Sequence, residues 1–147
     1  MTGNSDQFLE WDAEEFINRM LSNDNIDGVI STFIKKDPNV NWSYAKVNDE
    51  GIVTDVQEKK PISNFSTTGI YLWRKGSDFV TLAKQKIDAK DKSNNEYYVA
   101  SVYNYAIRAG KEYVISHCKK IWGIDVPDDL NYFLKQYKGP LSTNPTP

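Results

Sequence analysis

Cysteine and histidine are almost missing from this chain: its 147 residues include one of each, Cys118 and His117. A lone cysteine cannot close an internal disulfide, and one histidine with one cysteine cannot assemble a Cys/His zinc cage. The two are neighbours in Lys111-Glu-Tyr-Val-Ile-Ser-His-Cys118, a run that reads as a strand. Their side chains should therefore point to opposite faces, and they cannot work as a nucleophile–base pair. Chemistry is left to carboxylates, lysines and a hard metal ion. Excess positive charge is missing as well. Lys and Arg number 18 against 20 Asp and Glu, a net charge of −2, so no bulk field gathers a phosphate backbone and nucleic acid is not an expected partner. No apolar run approaches the ~18–20 residues of a membrane span, and Met1 to Asp12 has neither the basic start nor the apolar stretch of a secretory signal. The expectation is a soluble cytoplasmic protein that makes no membrane contact.

What the chain does have is an ordinary globular composition, with 39% hydrophobic, 26% charged and 13% aromatic residues. Its length suits one domain with a core large enough to stand without disulfides or a structural metal. Phe16, Ile17, Met20 and Leu21 recur at helical spacing behind the candidate cap Asp12. Gly28 to Ile34 is short and β-branched, which predicts a buried strand. Trp42 to Val47 and Gly51 to Gln57 flank a turn cluster and predict a hairpin. Thr67 to Trp73 reads as a strand with an internal glycine, Gly69, where a bulge or a close approach to the backbone is expected. Helices are predicted from Ser77 or Asp78 to about Asp88, from Glu96 to Gly110, and from Pro127 to Gln136, with a further strand region between the last two that leads to Trp122. This alternation predicts an α/β fold, a mixed sheet flanked by helices. Residues 1–137 should form the domain and residues 138–147 a disordered tail.

Three stretches gather groups that a phosphate or a metal would need. In Asn4-Ser-Asp-Gln7, Asp6 could stand at a strand end facing a cleft, one ligand of a Mg²⁺ that otherwise keeps its waters; the alternative is an Asx turn or helix cap. In Glu58-Lys-Lys60, an acceptor carboxylate beside two ammonium groups could hold sugar hydroxyls and a phosphate together, or simply end a strand with exposed charge. In Trp122-Gly-Ile-Asp-Val-Pro-Asp-Asp129, Asp128 and Asp129 suit the first turn of a helix, which leaves Asp125 as the unexplained carboxylate. Tyr97, Tyr98, Tyr103 and Tyr105 could stack bases, but helical spacing and the acidic balance favour core packing.

In these residues the chain resembles the sugar-1-phosphate nucleotidyltransferases, the family that includes glucose-1-phosphate thymidylyltransferase. The matching pieces run in order through Asn4-Ser-Asp-Gln7, Trp42-Ser-Tyr44, Asp49 to Val53, Val56-Gln-Glu-Lys59, Thr68-Gly-Ile-Tyr71, Glu96 to Val99, Tyr103-Asn104 and Trp122 to Leu130. The resemblance implies a Rossmann-like mixed sheet on which a nucleoside triphosphate and a sugar 1-phosphate give a nucleotide sugar and pyrophosphate with help from Mg²⁺. Products of that kind feed polysaccharide biosynthesis. It further implies that Asp6 is a metal-binding aspartate ending a central strand, that Glu58 binds sugar hydroxyls, that Lys59 binds the sugar phosphate, and that Gly69 lets the sugar approach the backbone.

The sequence departs from the family pattern twice. The glycine-rich G-x-G-x-R loop that would cradle the triphosphate is not in these residues. The resemblance therefore implies the C-terminal, sugar-binding portion of an incomplete nucleotidyltransferase domain, inactive without a nucleotide-binding half and able to engage a nucleoside triphosphate only with it. In the family's W-x-D-x-G-T-P segment, the second metal aspartate falls here on Gly123, so Asp125 either substitutes from two residues away or that ligand is missing. The rival expectation is a noncatalytic sugar-phosphate-binding module on the same scaffold, or a homo-oligomer assembled through exposed strand edges.

Overall fold

The computed structural model describes residues 1–140. The element order is β1 (Gln7–Glu10), α1 (Ala13–Leu21), β2 (Gly28–Ile34), β3 (Ser43–Val47), β4 (Val53–Glu58), β5 (Phe65–Trp73), α2 (Gly76–Asp88), α3 (Val102–Arg108), β6 (Tyr113–His117), β7 (Lys120–Gly123) and α4 (Pro127–Gln136). Five strands form a mixed sheet in the order β4-β3-β5-β2-β6, in which β2 runs parallel to β6 and antiparallel to β5. A separate antiparallel pair joins β1 to β7. The α/β class and the mixed sheet flanked by helices agree with expectation.

Strand β2 is interior, paired on both edges, and its first five residues are buried. That explains why it reads as a continuous apolar and β-branched run rather than an alternating one. Helix α1 covers one face of the sheet. The Asp12 carboxylate accepts from the Glu15 N–H at 2.9 Å, so the helix starts where its orphan donors find a partner. Phe16 and Met20, four residues apart, pack with Ile26 and Val29. Helices α2 and α3 cover the opposite face, where Trp73 stacks on Tyr103 at 4.1 Å and both meet the edge of the Tyr113 ring.

Local structure differs from the sequence expectation in four places. Helix α2 has no side-chain cap, because it starts at Gly76 behind Lys75; the expected caps Ser77 and Asp78 lie inside its first turn, where the Asp78 carboxylate pairs with Lys111 at 3.0 Å. Helix α3 starts at Val102 and not at Glu96. The chain before it turns through Asn94 and Asn95, both with positive φ, and Tyr97 bonds back to Ile87 with its hydroxyl, so tertiary contacts override the helical spacing. The strand region leading to Trp122 is two strands. The Cys118 N–H still bonds β2 at the Thr32 carbonyl, whereas the next N–H, Lys119, bonds Glu10, so the chain changes sheets between adjacent residues. Last, β1 was not expected as a separate strand, and Asp6 lies in a bend before it, not at the end of a strand of the main sheet. The nearest main-sheet pairing to Asp6 is the bridge of Thr2 to Tyr71 on β5.

On the open side of β4 one side chain pairs with the Val56 backbone. The Asn104 amide accepts from the Val56 N–H at 2.9 Å and donates to the Val56 carbonyl at 2.7 Å, filling both places a neighbouring strand would take. At the other edge, Val114 of β6 is bridged by Ile52. Of the tail expected over residues 138–147, residues 141–147 lie outside the described residues. Before them, the Tyr137 hydroxyl donates to the Pro140 carbonyl at 2.9 Å.

Candidate functional site

A cavity of about 580 Å³ opens where the β1–β7 pair meets the main sheet. The first element of its wall is the bulge in β5. Pairing with β2 jumps from Ile30–Tyr71 to Thr32–Thr67, leaving Thr68, Gly69 and Ile70 as extra length around a glycine at φ +82°. Both readings of that glycine hold at once, since a Cβ there would lie 2.2 Å from the Asn4 side-chain nitrogen. The group that comes close to the Gly69 backbone in this structure is thus Asn4. Beside it, the Gln7 side-chain amide donates to the Thr68 carbonyl, which ties the start of β1 to the bulge.

The β1–β7 pair also brings two acids together. The Asp6 carbonyl accepts from the Ile124 N–H at 3.0 Å, extending the register in which Gln7 faces Gly123. Asp6 and Asp125 therefore sit at matching ends of paired strands, and both border the cavity. Gly123 does not leave an empty place. A Cβ built on it would lie 3.7 Å from Asp125 Oδ1 and 3.5 Å from Asp129 Oδ2. Asp125 thus brings its carboxylate into the space next to the position where the family pattern carries its aspartate, and Asp129, expected only to favour the first turn of α4, comes close as well. Among the described residues no group of three or more His, Cys, Asp or Glu is arranged to hold a metal by itself. Two carboxylates on one cavity nonetheless suit Mg²⁺, which commonly uses one or two carboxylates and completes its shell with water and substrate phosphate.

Glu58 ends β4 and borders the same space, its carboxylate accepting from the Ser43 hydroxyl on the neighbouring strand. Lys59 follows with φ +57°, its N–H bonded to the Trp42 carbonyl at 2.9 Å. Unlike its neighbour Glu58, Lys59 does not border the cavity. Its ammonium lies 5.4 Å from the centre of the Tyr98 ring. The Tyr98 hydroxyl, which donates to Glu96, raises the Lys59 pKa, with smaller contributions from Glu58 and Glu96. Tyr71, at the back of the cavity, is buried and its phenol is pushed up to about 12 by that burial, so it stays protonated and pairs with Thr67 Oγ1 at 3.0 Å.

The tyrosines expected to pack in the core are divided. Tyr103 is core, Tyr105 holds Asp91 at the surface at 2.8 Å, and Tyr97 and Tyr98 join Trp42 on the cavity wall. Helical spacing concealed this, because Tyr97 and Tyr98 precede α3. The amides Asn4, Gln7 and Asn41 on the same wall were not singled out as binding residues either. His117 and Cys118 take no part. His117 is exposed, while Cys118 is buried beside the Lys120 carbonyl at 3.1 Å, and burial pushes its thiol up and away from reactivity.

No protein-family model matches the chain, and no curated protein sequence matches it. Among solved structures, the class of fold is that of nucleotidyltransferases. The nucleoside-diphosphate-sugar pyrophosphorylase of Vibrio cholerae RC9 is 27% identical with a TM-score of 0.66, matching 77% of this chain and 48% of its own. A Bacillus anthracis structure described as a glucose-1-phosphate thymidylyltransferase, in complex with a sucrose, is 16% identical with a TM-score of 0.65, over 92% of this chain and 54% of its own. The CTP:phosphocholine cytidylyltransferase of Streptococcus pneumoniae is 15% identical with a TM-score of 0.56, over 88% and 54%. More particularly, the chain has a sugar-1-phosphate nucleotidyltransferase-like fold, and it spans about half the length of the structures it matches. Among the described residues no helix is long and apolar enough to cross a membrane.

Proposed function

We propose that this chain provides the sugar-phosphate-binding part of a sugar-1-phosphate nucleotidyltransferase site. The observation that carries the reading is the convergence of Asp6, Glu58, Gly69 and Asp125, from four separate stretches of sequence, on one cavity. Glu58, held by Ser43, accepts from ligand hydroxyls. Lys59, one residue beyond, reaches the phosphate by leaving the Tyr98 ring. Asp6 and Asp125 would hold Mg²⁺, which when bound neutralises phosphate charge. The chain's own residues position the ligand and keep its hydroxyls oriented, which is the larger part of catalysis when reaction depends on alignment. The glycine-rich loop for a triphosphate is not among the 147 residues, so nucleotide transfer needs that loop from outside them.

The test is to mix the chain with Mg²⁺, nucleoside triphosphates and a panel of sugar 1-phosphates while following both heat of binding and pyrophosphate. Binding of at least one sugar phosphate without pyrophosphate release is the expected result. Sustained release by this chain alone would overturn the requirement for an outside loop, and failure to bind any of the panel would overturn the binding reading.

A further inference from the structure

Of the four aromatic rings that border the cavity, Trp42, Tyr97 and Tyr98 each already carry a lysine ammonium, and the buried Tyr71 does not. Lys35 Nζ is 5.5 Å from the centre of the Trp42 ring, Lys92 Nζ is 5.2 Å from Tyr97, and Lys59 Nζ is 5.4 Å from Tyr98. These distances fall inside the ~6 Å over which a ring face attracts a cation. Yet among the described residues bordering the cavity there is no lysine or arginine. The acids facing the space are Asp6, Glu58 and Asp125, and none of them has an ion-pair partner among the described residues, where the pairs are Lys86–Asp91 and Lys111–Asp78. Two hydroxyls on the same wall, Thr2 Oγ1 and Thr68 Oγ1, are buried without any hydrogen-bond partner, and Thr68 is only 1% exposed. Positive charge therefore stands near the rings but not at the cavity's border, which is acidic, aromatic and short of hydrogen bonds.

A neutral ligand leaves this imbalance in place. Even with a divalent ion on Asp6 and Asp125, Glu58 has a hydroxyl partner and no cation, because Lys59 is turned onto Tyr98. Resting on the reading of the cavity as a phosphate-ester site, we propose that its preferred ligand is a phosphate monoester that also carries a protonated amine. The ammonium sits at Glu58 beside Trp42, donating to the carboxylate, and the phosphate lies toward Lys59. Two kinds of compound share this chemistry, the amino-sugar phosphates and the amino-alcohol phosphates.

Titration calorimetry on the full chain, with Mg²⁺, would use glucosamine 1-phosphate, N-acetylglucosamine 1-phosphate, glucose 1-phosphate, and ethanolamine and choline phosphates. Acetylation keeps the sugar and removes the charge, so glucosamine 1-phosphate is expected to bind about tenfold or more tightly than its acetylated and hydroxyl counterparts. Glu58→Gln and Trp42→Ala, each checked for native circular dichroism, should reduce that preference to less than about threefold, because the charge-assisted contact and the ring are what discriminate. Equal affinity for charged and uncharged sugars overturns this inference and leaves the proposed function standing. Tighter binding of ethanolamine phosphate than of any sugar supports the ammonium site and removes the sugar from the proposed function, whereas choline phosphate, whose quaternary nitrogen has no N–H for Glu58, should bind more weakly than ethanolamine phosphate, and the reverse order overturns the donated contact. No binding by any of the five overturns both.

Discussion

Two trios of aromatic side chains, drawn from the same residue types, do opposite work in this molecule. Trp73, Tyr103 and Tyr113 are 5%, 0% and 0% exposed and pack on one another under α2 and α3. Trp42, Tyr97 and Tyr98 stand on the cavity wall with lysines on their faces, and Tyr97 is 40% exposed. Enclosure makes the difference. In the first trio the rings satisfy each other's surfaces and burial pushes the phenols of Tyr103 and Tyr113 well up, so they stay neutral. In the second trio one side of each ring is matched by a protein cation and the cavity is left for another molecule. The first trio should therefore govern stability and the second recognition.

The sharpest way to break that division is Tyr103→Ala. Removing a fully buried ring that stacks on Trp73 should cost about 3–5 kcal/mol in urea unfolding. A loss near that of an exposed substitution would show that the trio is not a core. Next in size is Asn104→Ala, which strips the Val56 N–H and carbonyl of their partners and should cost about 1–3 kcal/mol. It also unpairs the Val56 position on the edge of β4, so light scattering should find more association in the variant than in the parent; we propose that any homo-oligomer formed through strand edges would use this edge. Gly69→Ala tests the seam between the two regions. An alanine must take a left-handed φ and displace the Asn4 side chain, at about 1–3 kcal/mol, and Asn4→Gly in the same chain should return part of the loss. Tyr98→Ala should change stability by less than about 0.5 kcal/mol while weakening phosphate-ester binding, and Lys59 should titrate closer to its ordinary value once the Tyr98 hydroxyl is gone.

The smallest effect belongs to His117, which lies outside both trios. Although the residue is exposed overall, its ring stands against Phe65 and Thr32, and this partial loss of solvent, with a smaller effect of Arg19, lowers its pKa, so the unfolded chain takes up a proton more readily than the folded one. The contribution is complete above the unfolded value of about 6.5, and stability falls as pH drops through that value toward the folded pKa. Denaturant midpoints measured on either side of pH 6.5 should show this slope in the parent and lose it in His117→Gln.

Much of the fold was legible in residue order because local rules and tertiary demands agreed. The continuous apolar run of β2 reflects a strand covered on both faces, Pro127 and its following acids mark the first turn of α4, and Gly69 marks a bulge. The site was legible in part. Asp6, Glu58, Gly69 and Asp125 were selected by residue type and family pattern, and they meet. Lys59 was selected on the same grounds but faces Tyr98, because nothing in the order of residues reveals its positive φ. Tyr97 and Tyr98 carried helical spacing into a segment that is not helical, where the preceding asparagine turn and the contact of Tyr97 with Ile87 prevailed.

Composition and periodicity were enough for the class of the fold, the placing of most strands and helices, and the exclusion of an internal disulfide and a Cys/His zinc cage. Those depend on side-chain type, spacing and backbone preference, which are properties of short segments. How Asp6 and Asp125 come to share a cavity and where Asn4 comes to rest were decided by the pairing of β1 with β7 and by the bulge in β5. These contacts join stretches far apart in the chain, Gln7 with Gly123 in the first and Thr32 with Thr67 beside the second, and their geometry exists only once the sheets have formed.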